Sequence, residues 1–304
     1  MSAPWFVVAA GAFFACTVVG TALDVVPARP AVYRAGYRVL ESDFHAHTRF
    51  SDGLLSPFDV VIQARRRALD VLAITEHNNT FPGELGRAFS RAIGGPTVIV
   101  GEEITTNRFH LIAVGLHERV HAGDPLRDNI AAIHGQGGVA IAAHPVKGYW
   151  ARFDTVLDVL DGAEVMHPIA FGGGGRDGWR WDDMRRFYED ARAAGHQLTA
   201  IGSSDYHFGS GLGVVRTLVF AERDDEAAVV DALRAHRTVV YDLTGKAYGD
   251  AAMIAALAKE PMPKRDADYG YHGAGLLDRA ARLVGWLAAL GLAVLARPKR
   301  SVVG

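Results

Sequence analysis

Short apolar runs alternate along this chain with stretches of helical spacing. Residues 38–47, 71–75, 97–104, 109–116, 139–143, 163–166, 198–202, 214–220 and 238–243 are rich in β-branched or apolar side chains and have strand length. Residues 56–70, 82–93, 125–134, 179–194 and 226–237 space their apolar positions as helices do. The first of these opens on Ser56-Pro57-Phe58, with Ser as N-cap and Pro at the first helical position. Such alternation predicts a mostly parallel sheet with helical crossovers. Seven or more strands within about 220 residues suit one closed α/β barrel better than two open sheets.

The two ends depart from this rhythm. No charged side chain precedes residue 24, and Trp5 to Leu23 is a 19-residue apolar run, close to the roughly 20 residues that cross a bilayer. A membrane anchor is the expectation for 1–24. The rival is a cleaved signal peptide, with small residues at Gly20-Thr21-Ala22 but no Lys or Arg ahead of the apolar stretch. Leu283 to Ala296 is a second apolar run, between Arg282 and Arg297. Its 14 residues suit a core helix, an interfacial helix or a short span. Arg297, Lys299 and Arg300 would hold the termini in the cytoplasm and the middle outside it, while Arg29, Arg34 and Arg38 pull the other way. The expected organisation is an anchor or signal over 1–24, a barrel over 38–243, a linker and helix over 244–282, and a membrane or interfacial helix over 283–296. The expected location is at a membrane, with the catalytic domain on the extracytoplasmic side.

Composition narrows the chemistry. The 304 residues carry 32 Lys and Arg against 34 Asp and Glu, a formal charge of -2, so no bulk electrostatic bias favours nucleic acid as a partner. Cys16 is the one cysteine, which excludes an internal disulfide framework and any zinc site built on several thiolates. A metal would be held by His, Asp or Glu, and there are 13 His.

Their positions are not scattered. The predicted strands stop at Asp43, His45 and His47, at Glu76-His77, at Glu102-Glu103, at His144-Pro145, at His167, and at Asp205-Tyr206-His207. The strand ends of a parallel barrel converge on one rim, where such folds place their sites. Strand alternation turns Asp43, His45 and His47 one way and Phe44 and Ala46 the other. The turn Ser51-Asp52-Gly53 can bring Asp52 back over the same rim. Nitrogen and oxygen donors without sulfur suit zinc, manganese or iron.

Read in order, Asp43-Phe44-His45-Ala46-His47-Thr48, Ser51-Asp52-Gly53, Thr75-Glu76-His77-Asn78, Gly101-Glu102-Glu103-Ile104, Ala143-His144-Pro145 and Gly202-Ser203-Ser204-Asp205-Tyr206-His207 resemble the motifs of the PHP (polymerase and histidinol phosphatase) family, over roughly residues 38 to 243. Within the family, the chain is most similar to the carbamate hydrolase-like branch. The resemblance implies a distorted (β/α)7 barrel, here with terminal hydrophobic helices, and a cluster of two or three divalent metal ions. By motif, one ion is held by His45, His47, Glu103 and Asp205. A second uses Glu103, His110 and His144, and a third Asp52, His77 and His207. Glu102 is then a solvated or supporting neighbour, and Glu76 stands where the family has Asp.

Other residues take roles from their positions. Arg216, after the Asp205–His207 motif, can hold a phosphate oxygen, with Arg49, Arg108 and Lys147 as further candidates. His167 lines the site, and Glu164, three residues earlier, faces the opposite side of its strand. His117, His121, His134, His196, His236 and His272 are surface or capping residues. The run Gly172 to Gly175 is a rim loop or lid. Clustered divalent ions lower the pKa of a bound water and stabilise charge on the attacked group. The expected activity is phosphoester hydrolysis of a small molecule, with Glu103 and Asp205 at the metals and Arg216 on the phosphate. A carbamate, ester or amide hydrolase on the same site is the second reading, and a non-catalytic membrane-tethered sensor the third.

Overall fold

The computed structural model describes residues 3–23, 30–123, 125–168, 180–208, 211–263 and 276–296. The chain divides into two compact units, one of Met1–Arg29 with Asp266–Gly304 and the other of Pro30–Arg265. Helix α1 (Ala3–Leu23) belongs to the first and is taken up last.

The second unit opens with β1 (Val32–Arg34) and β2 (Tyr37–Asp43), followed by α2 (Pro57–Arg66), β3 (Val71–Ile74), α3 (Phe81–Ile93), β4 (Thr97–Thr105) and β5 (His110–Val114). It continues with α4 (Leu126–Gly135), β6 (Val139–Ala142), α5 (Lys147–Phe153), β7 (Gly162–Met166), α6 (Trp181–Ala193) and β8 (Thr199–Gly202). β9 (Thr217–Ala221), α7 (Glu226–Arg234), β10 (Thr238–Tyr241), β11 (Ala247–Gly249) and α8 (Ala251–Lys259) complete it. The strands form one sheet in the order β11-β10-β9-β2-β3-β4-β5-β6-β7-β8, with β1 beside β2. The sheet curls into a nearly closed barrel. At the seam, Thr217 Oγ1 accepts from Gly202 N at 2.9 Å and donates to Gly202 O at 2.8 Å. Thr238 Oγ1 donates to Ala200 O at 2.9 Å.

The α/β barrel agrees with the expectation, and the strand directions refine it. β2, β3 and β4 run parallel, as do β6, β7 and β8. β5 is antiparallel to both its neighbours, and β9 is antiparallel to β2. The cause at β5 is chain length: residues 106–109 are all that separate it from β4, enough for a hairpin and too few for a crossover. α5 and β11 were not evident as helix and strand in the sequence pattern, and β11 and α8 carry the compact unit past residue 243.

Alternation sorts the strand residues into layers. Leu40, Ile99, Ile112, Val114, Ile141, Ile201 and Val219 form the inner core, with Val229 and Leu233 of α7 packed into it. Leu111, Ala113, Ala140, Ala142 and Ala163 face outward to a cluster with Ile130, Phe153 and Phe187 of the surrounding helices. Ser56 caps α2 through its Oγ to Asp59 N at 3.2 Å, as the sequence predicts.

In the other unit, α1 packs against α9 (Leu276–Leu295). A Cβ added at Gly285 would sit 3.3 Å from the Cβ of Cys16, so the two helices approach closely there. α9 begins before the expected 283 and carries the Arg282–Asp278 ion pair at 2.9 Å. Among the described residues no helix is long and apolar enough to cross a membrane. Side chains of α1 are described for residues 4–20, fewer than the roughly 20 a span needs. The expected membrane anchor and membrane partner thus find no support. His272 and the Gly172–Gly175 run lie outside the described residues.

Candidate metal centre

Each ligand-type side chain is brought to the rim by the end of a strand. β2 stops at Asp43, and the chain runs on in an extended path where Ala46 bridges Tyr206 and Ala46 N donates to Thr75 Oγ1 at 3.1 Å. His45 and His47 converge there with ring centroids 5.1 Å apart. Asp43 does not join them, contrary to the expectation from strict alternation. Its carboxylate accepts from the backbone N of Ser204 at 3.0 Å, of Gly213 at 2.8 Å and of His45 at 3.3 Å. Phe44 and Ala46 enter different apolar clusters, because alternation lapses once the strand ends.

Glu103 is the hub. It lies on the inner face of β4, 1% exposed, and three loops and the first residue of β5 bring imidazoles to it. His77 Nδ1 is 2.8 Å from Oε2, and His110 Nδ1 is 2.8 Å from Oε1. His144 Nε2 is 3.2 Å from Oε1, while Nε2 of His45 and of His47 are each 3.5 Å from a carboxylate oxygen. Asp205 Oδ1 lies 3.1 Å from His45 Nε2 and 3.2 Å from His47 Nε2. On the open side, Asp52 stands 3.4 Å from His77 Nε2 and 3.2 Å from His207 Nε2. All nine residues expected as ligands thus fall in one cluster, in the sets His47, Asp52, His77 and His207; His45, Glu103 and His144; and His45, His47 and Asp205. His110 joins through Glu103. His144 and Asp205 hold positive φ of 28° and 43°, a strained backbone of the kind that collects at functional sites.

The donor set fits divalent cations. His45 Nε2, both ring nitrogens of His47 and Asp205 Oδ1 are buried without a hydrogen bond, and such orphaned groups call for an ion or water among them. Electrostatics agree. Burial opposes charge on His45, yet Asp205, Glu164 and Glu103 raise its pKa well above the ordinary histidine value. Burial would likewise raise Glu103, but the His45 charge and hydrogen bonds from His110 and His144 hold it well below the carboxylate range. Asp205 is lowered in the same way, against burial, by His45, His167 and His47. Burial lowers His47 and His144, leaving neutral rings suited to ligation.

Several expectations are corrected. Arg216 does not reach the rim. It shares the outward parity of Leu218 and Phe220, which pack with Val39 under α8. Its guanidinium pairs with Glu41 at 2.7 Å and donates to the carbonyls of Gly213 and Arg67 at 2.9 and 2.7 Å. Glu164 faces inward, not away. A bulge in the β7–β8 pairing between Glu164 and Met166 shifts the register, so Val165 and Met166 both pack outward and Glu164 and His167 both point to the site. Glu102 is buried rather than solvated. It lies on the outer face of β4 under the following loop, where Oε1 accepts from Val120 N at 2.5 Å, and burial raises its pKa to about 7.

Glu76 accepts from Thr48 N at 3.0 Å and from the hydroxyls of Thr48 and Ser51, holding the loop that carries Asp52. Tyr149 of α5 was not singled out. Its ring stacks on His110 at 5.6 Å. Arg49, Arg108 and Lys147 are exposed. His236 is bonded to Thr199 at 2.8 Å and His134 to Asp161 at 2.8 Å, structural roles as expected.

A family model described as PHP-associated matches residues 189–238. Uncharacterized protein MJ1587 of Methanocaldococcus jannaschii is 31% identical over 141 residues, 42% of this chain and 82% of the archaeal one. The fold is similar to that of a two-domain protein from Bacteroides vulgatus containing a predicted PHP-like metal-dependent phosphoesterase, with a TM-score of 0.60 and 22% identity over 77% of this chain and 74% of that one. An amidohydrolase from Chromobacterium violaceum with bound sulfate and no metal has a TM-score of 0.45 and 20% identity, covering 66% and 97% of the two chains. None of these supports the narrower carbamate hydrolase-like assignment. This chain belongs to one family with MJ1587, and it carries a PHP-associated segment at residues 189–238.

Proposed function

We propose that the protein is a metal-dependent hydrolase of small phosphate esters. The observation that carries the reading is the gathering of nine ligand-type side chains, Glu103 and Asp205 among them, in one cluster with buried donor atoms left unbonded. His45, His47, Glu103 and Asp205 would hold one cation, Glu103 with His110 and His144 a second, and Asp52, His77 and His207 a third. Zinc, manganese or iron suits these donors. Cations held there would supply Lewis-acid charge stabilisation and an activated water for phosphoester hydrolysis.

The chain's own residues do the rest. Glu103 offers Oε1 beside His110 and His144 and Oε2 beside His77 and His47. Asp43 and Glu76 hold the loops of Ser204 and Asp52 from behind through backbone N–H groups. His45, His47, Glu103 and His144 form a buried floor that keeps bulk water off one side, while Asp52, His77 and His207 are partly exposed and form the mouth by which substrate enters. With Arg216 committed to Glu41, phosphate recognition falls to the cations and the mouth.

The test is a substrate panel on zinc- and manganese-loaded protein: an aryl phosphate, an aryl phosphodiester, an aryl ester and an aryl carbamate. Turnover of the phosphates is the expected result. Turnover of the ester or carbamate alone moves the assignment to the second reading, and turnover of none with metal bound removes it.

A further inference from the structure

β7 supplies none of the proposed ligands, yet Glu164 on it and His167 just past its end touch them. Glu164 is fully buried. Its Oε1 accepts from His45 Nδ1 at 3.0 Å and from the Ser203 hydroxyl, and its Oε2 accepts from the His144 backbone N at 2.5 Å. His167 Nε2 lies 3.0 Å from Asp205 Oδ2. An imidazole that donates through Nδ1 to a carboxylate is held in orientation and presents Nε2 to a metal. A carboxylate with one oxygen engaged by a donor presents the other. The two atoms presented in this way, His45 Nε2 and Asp205 Oδ1, are both left without a hydrogen bond, 3.1 Å apart.

We propose that Glu164 and His167 are positioning residues that aim His45 Nε2 and Asp205 Oδ1 at a common divalent cation. The inference rests on the metal-site reading of the cluster. It also accounts for the β7 bulge, which is what turns both side chains inward from positions three apart. His45, Glu164 and His167 lie close enough to form a ligand set themselves. A cation there would have to displace the His45–Glu164 bond and the His167–Asp205 bond that orient the neighbouring set, so the orienting role is the one the contacts describe.

The experiment measures zinc affinity of the full chain by competition with a chromophoric chelator, together with the His45 ring resonances of zinc-loaded protein labelled with 15N-histidine. Glu164→Gln is expected to weaken zinc binding roughly 10- to 100-fold and to shift the His45 Nδ1 resonance. His167→Leu should weaken it on a similar scale, and His167→Gln, which keeps a donor for Asp205, should recover most of it. Wild-type affinity in folded Glu164→Gln and His167→Leu overturns the proposal. So does weakened binding in Glu164→Gln with an unmoved His45 resonance, or a His167→Gln variant as weak as His167→Leu, which would make His167 a ligand. Should Glu164→Gln not fold, the His167 pair decides. No turnover is read, so failure of the phosphoesterase assignment is separate, and absence of zinc binding by the wild-type chain would remove the metal reading itself.

Discussion

Adjacent residues of β4 carry opposite assignments, because one faces into the barrel and the other away from it. Glu103 sits among imidazoles that hold it ionised, so replacing it with Gln removes the charge on which His77, His110 and His144 converge. Glu103→Gln is expected to lose at least one equivalent of bound metal and nearly all turnover, read by elemental analysis and a phosphatase assay; full metal content with full activity would remove Glu103 from the hub. Glu102 has no such partners, and burial raises its pKa to about 7 from 4.5. Folding favours its neutral form. Its contribution to stability is therefore full below about pH 4.5 and is lost as pH rises through about 7. A shift of that size corresponds to about 3 kcal/mol. Glu102→Gln cannot ionise, so its stability should fall less between pH 5 and pH 8 than that of the wild type, by about that amount. Urea unfolding of both metal-free proteins at the two pH values checks it, and parallel pH profiles would place the ionisation elsewhere.

At the scale of elements, the ligands are only as well placed as the strand pairings beneath them. β4 and β5 carry Glu103 and His110, and their hairpin sets Thr105 opposite His110 and Gly101 opposite Val114. A Cβ at Gly101 would meet Ala113 O at 2.4 Å, a backbone atom that cannot rotate aside. Gly101→Ala should cost about 1–3 kcal/mol and weaken metal binding while leaving every ligand in place; a denaturant midpoint equal to the wild type's would mean that the strands separate freely. The same scale explains what the sequence could and could not disclose. His45, His47, His77, Glu103, His144 and Asp205 were legible because strand ends of a barrel share a rim, and ligand types recur there. Glu164 was not, since a bulge shifts parity without leaving a mark in composition. Its one available signal was a carboxylate set between the apolar Ala163 and Val165, where an unpartnered charge is costly. Arg216 was misread because its partner Glu41 comes from β2, and the antiparallel β2–β9 register that pairs Glu41 with Leu218 cannot be inferred from a parallel rhythm. The reversal at β5 was foreseeable from loop length alone, had the four residues after Thr105 been weighed as a hairpin.

For the whole molecule, the cluster is expected to couple the stability of the barrel unit to cation binding. Asp52, Glu76, Glu103, Glu164 and Asp205 bring five carboxylates into one rim region, each within 4 Å of an imidazole nitrogen. A cation that binds the folded chain and not the unfolded one stabilises by about 2.7 kcal/mol at a hundredfold excess over its dissociation constant, or roughly 5–10 °C in melting temperature for a unit of this size. Chelation should lower the melting temperature of the barrel by that order, and zinc should restore it. Protons compete with metal here, because the neighbouring carboxylates raise the pKa of His45 against burial, and Glu103 does the same for His77. The cation must displace protons from rings that keep them above the ordinary histidine range, so zinc stabilisation should shrink as pH falls from about 8 to about 6. Scanning calorimetry with and without zinc at both pH values measures this directly. His45→Asn removes a ring that lies in three of the donor sets, and its melting temperature should respond to zinc only weakly at either pH. A zinc-induced shift in that variant equal to the wild type's would show that the stabilising cation sits away from His45, and would move the centre to the outer set of Asp52, His77 and His207.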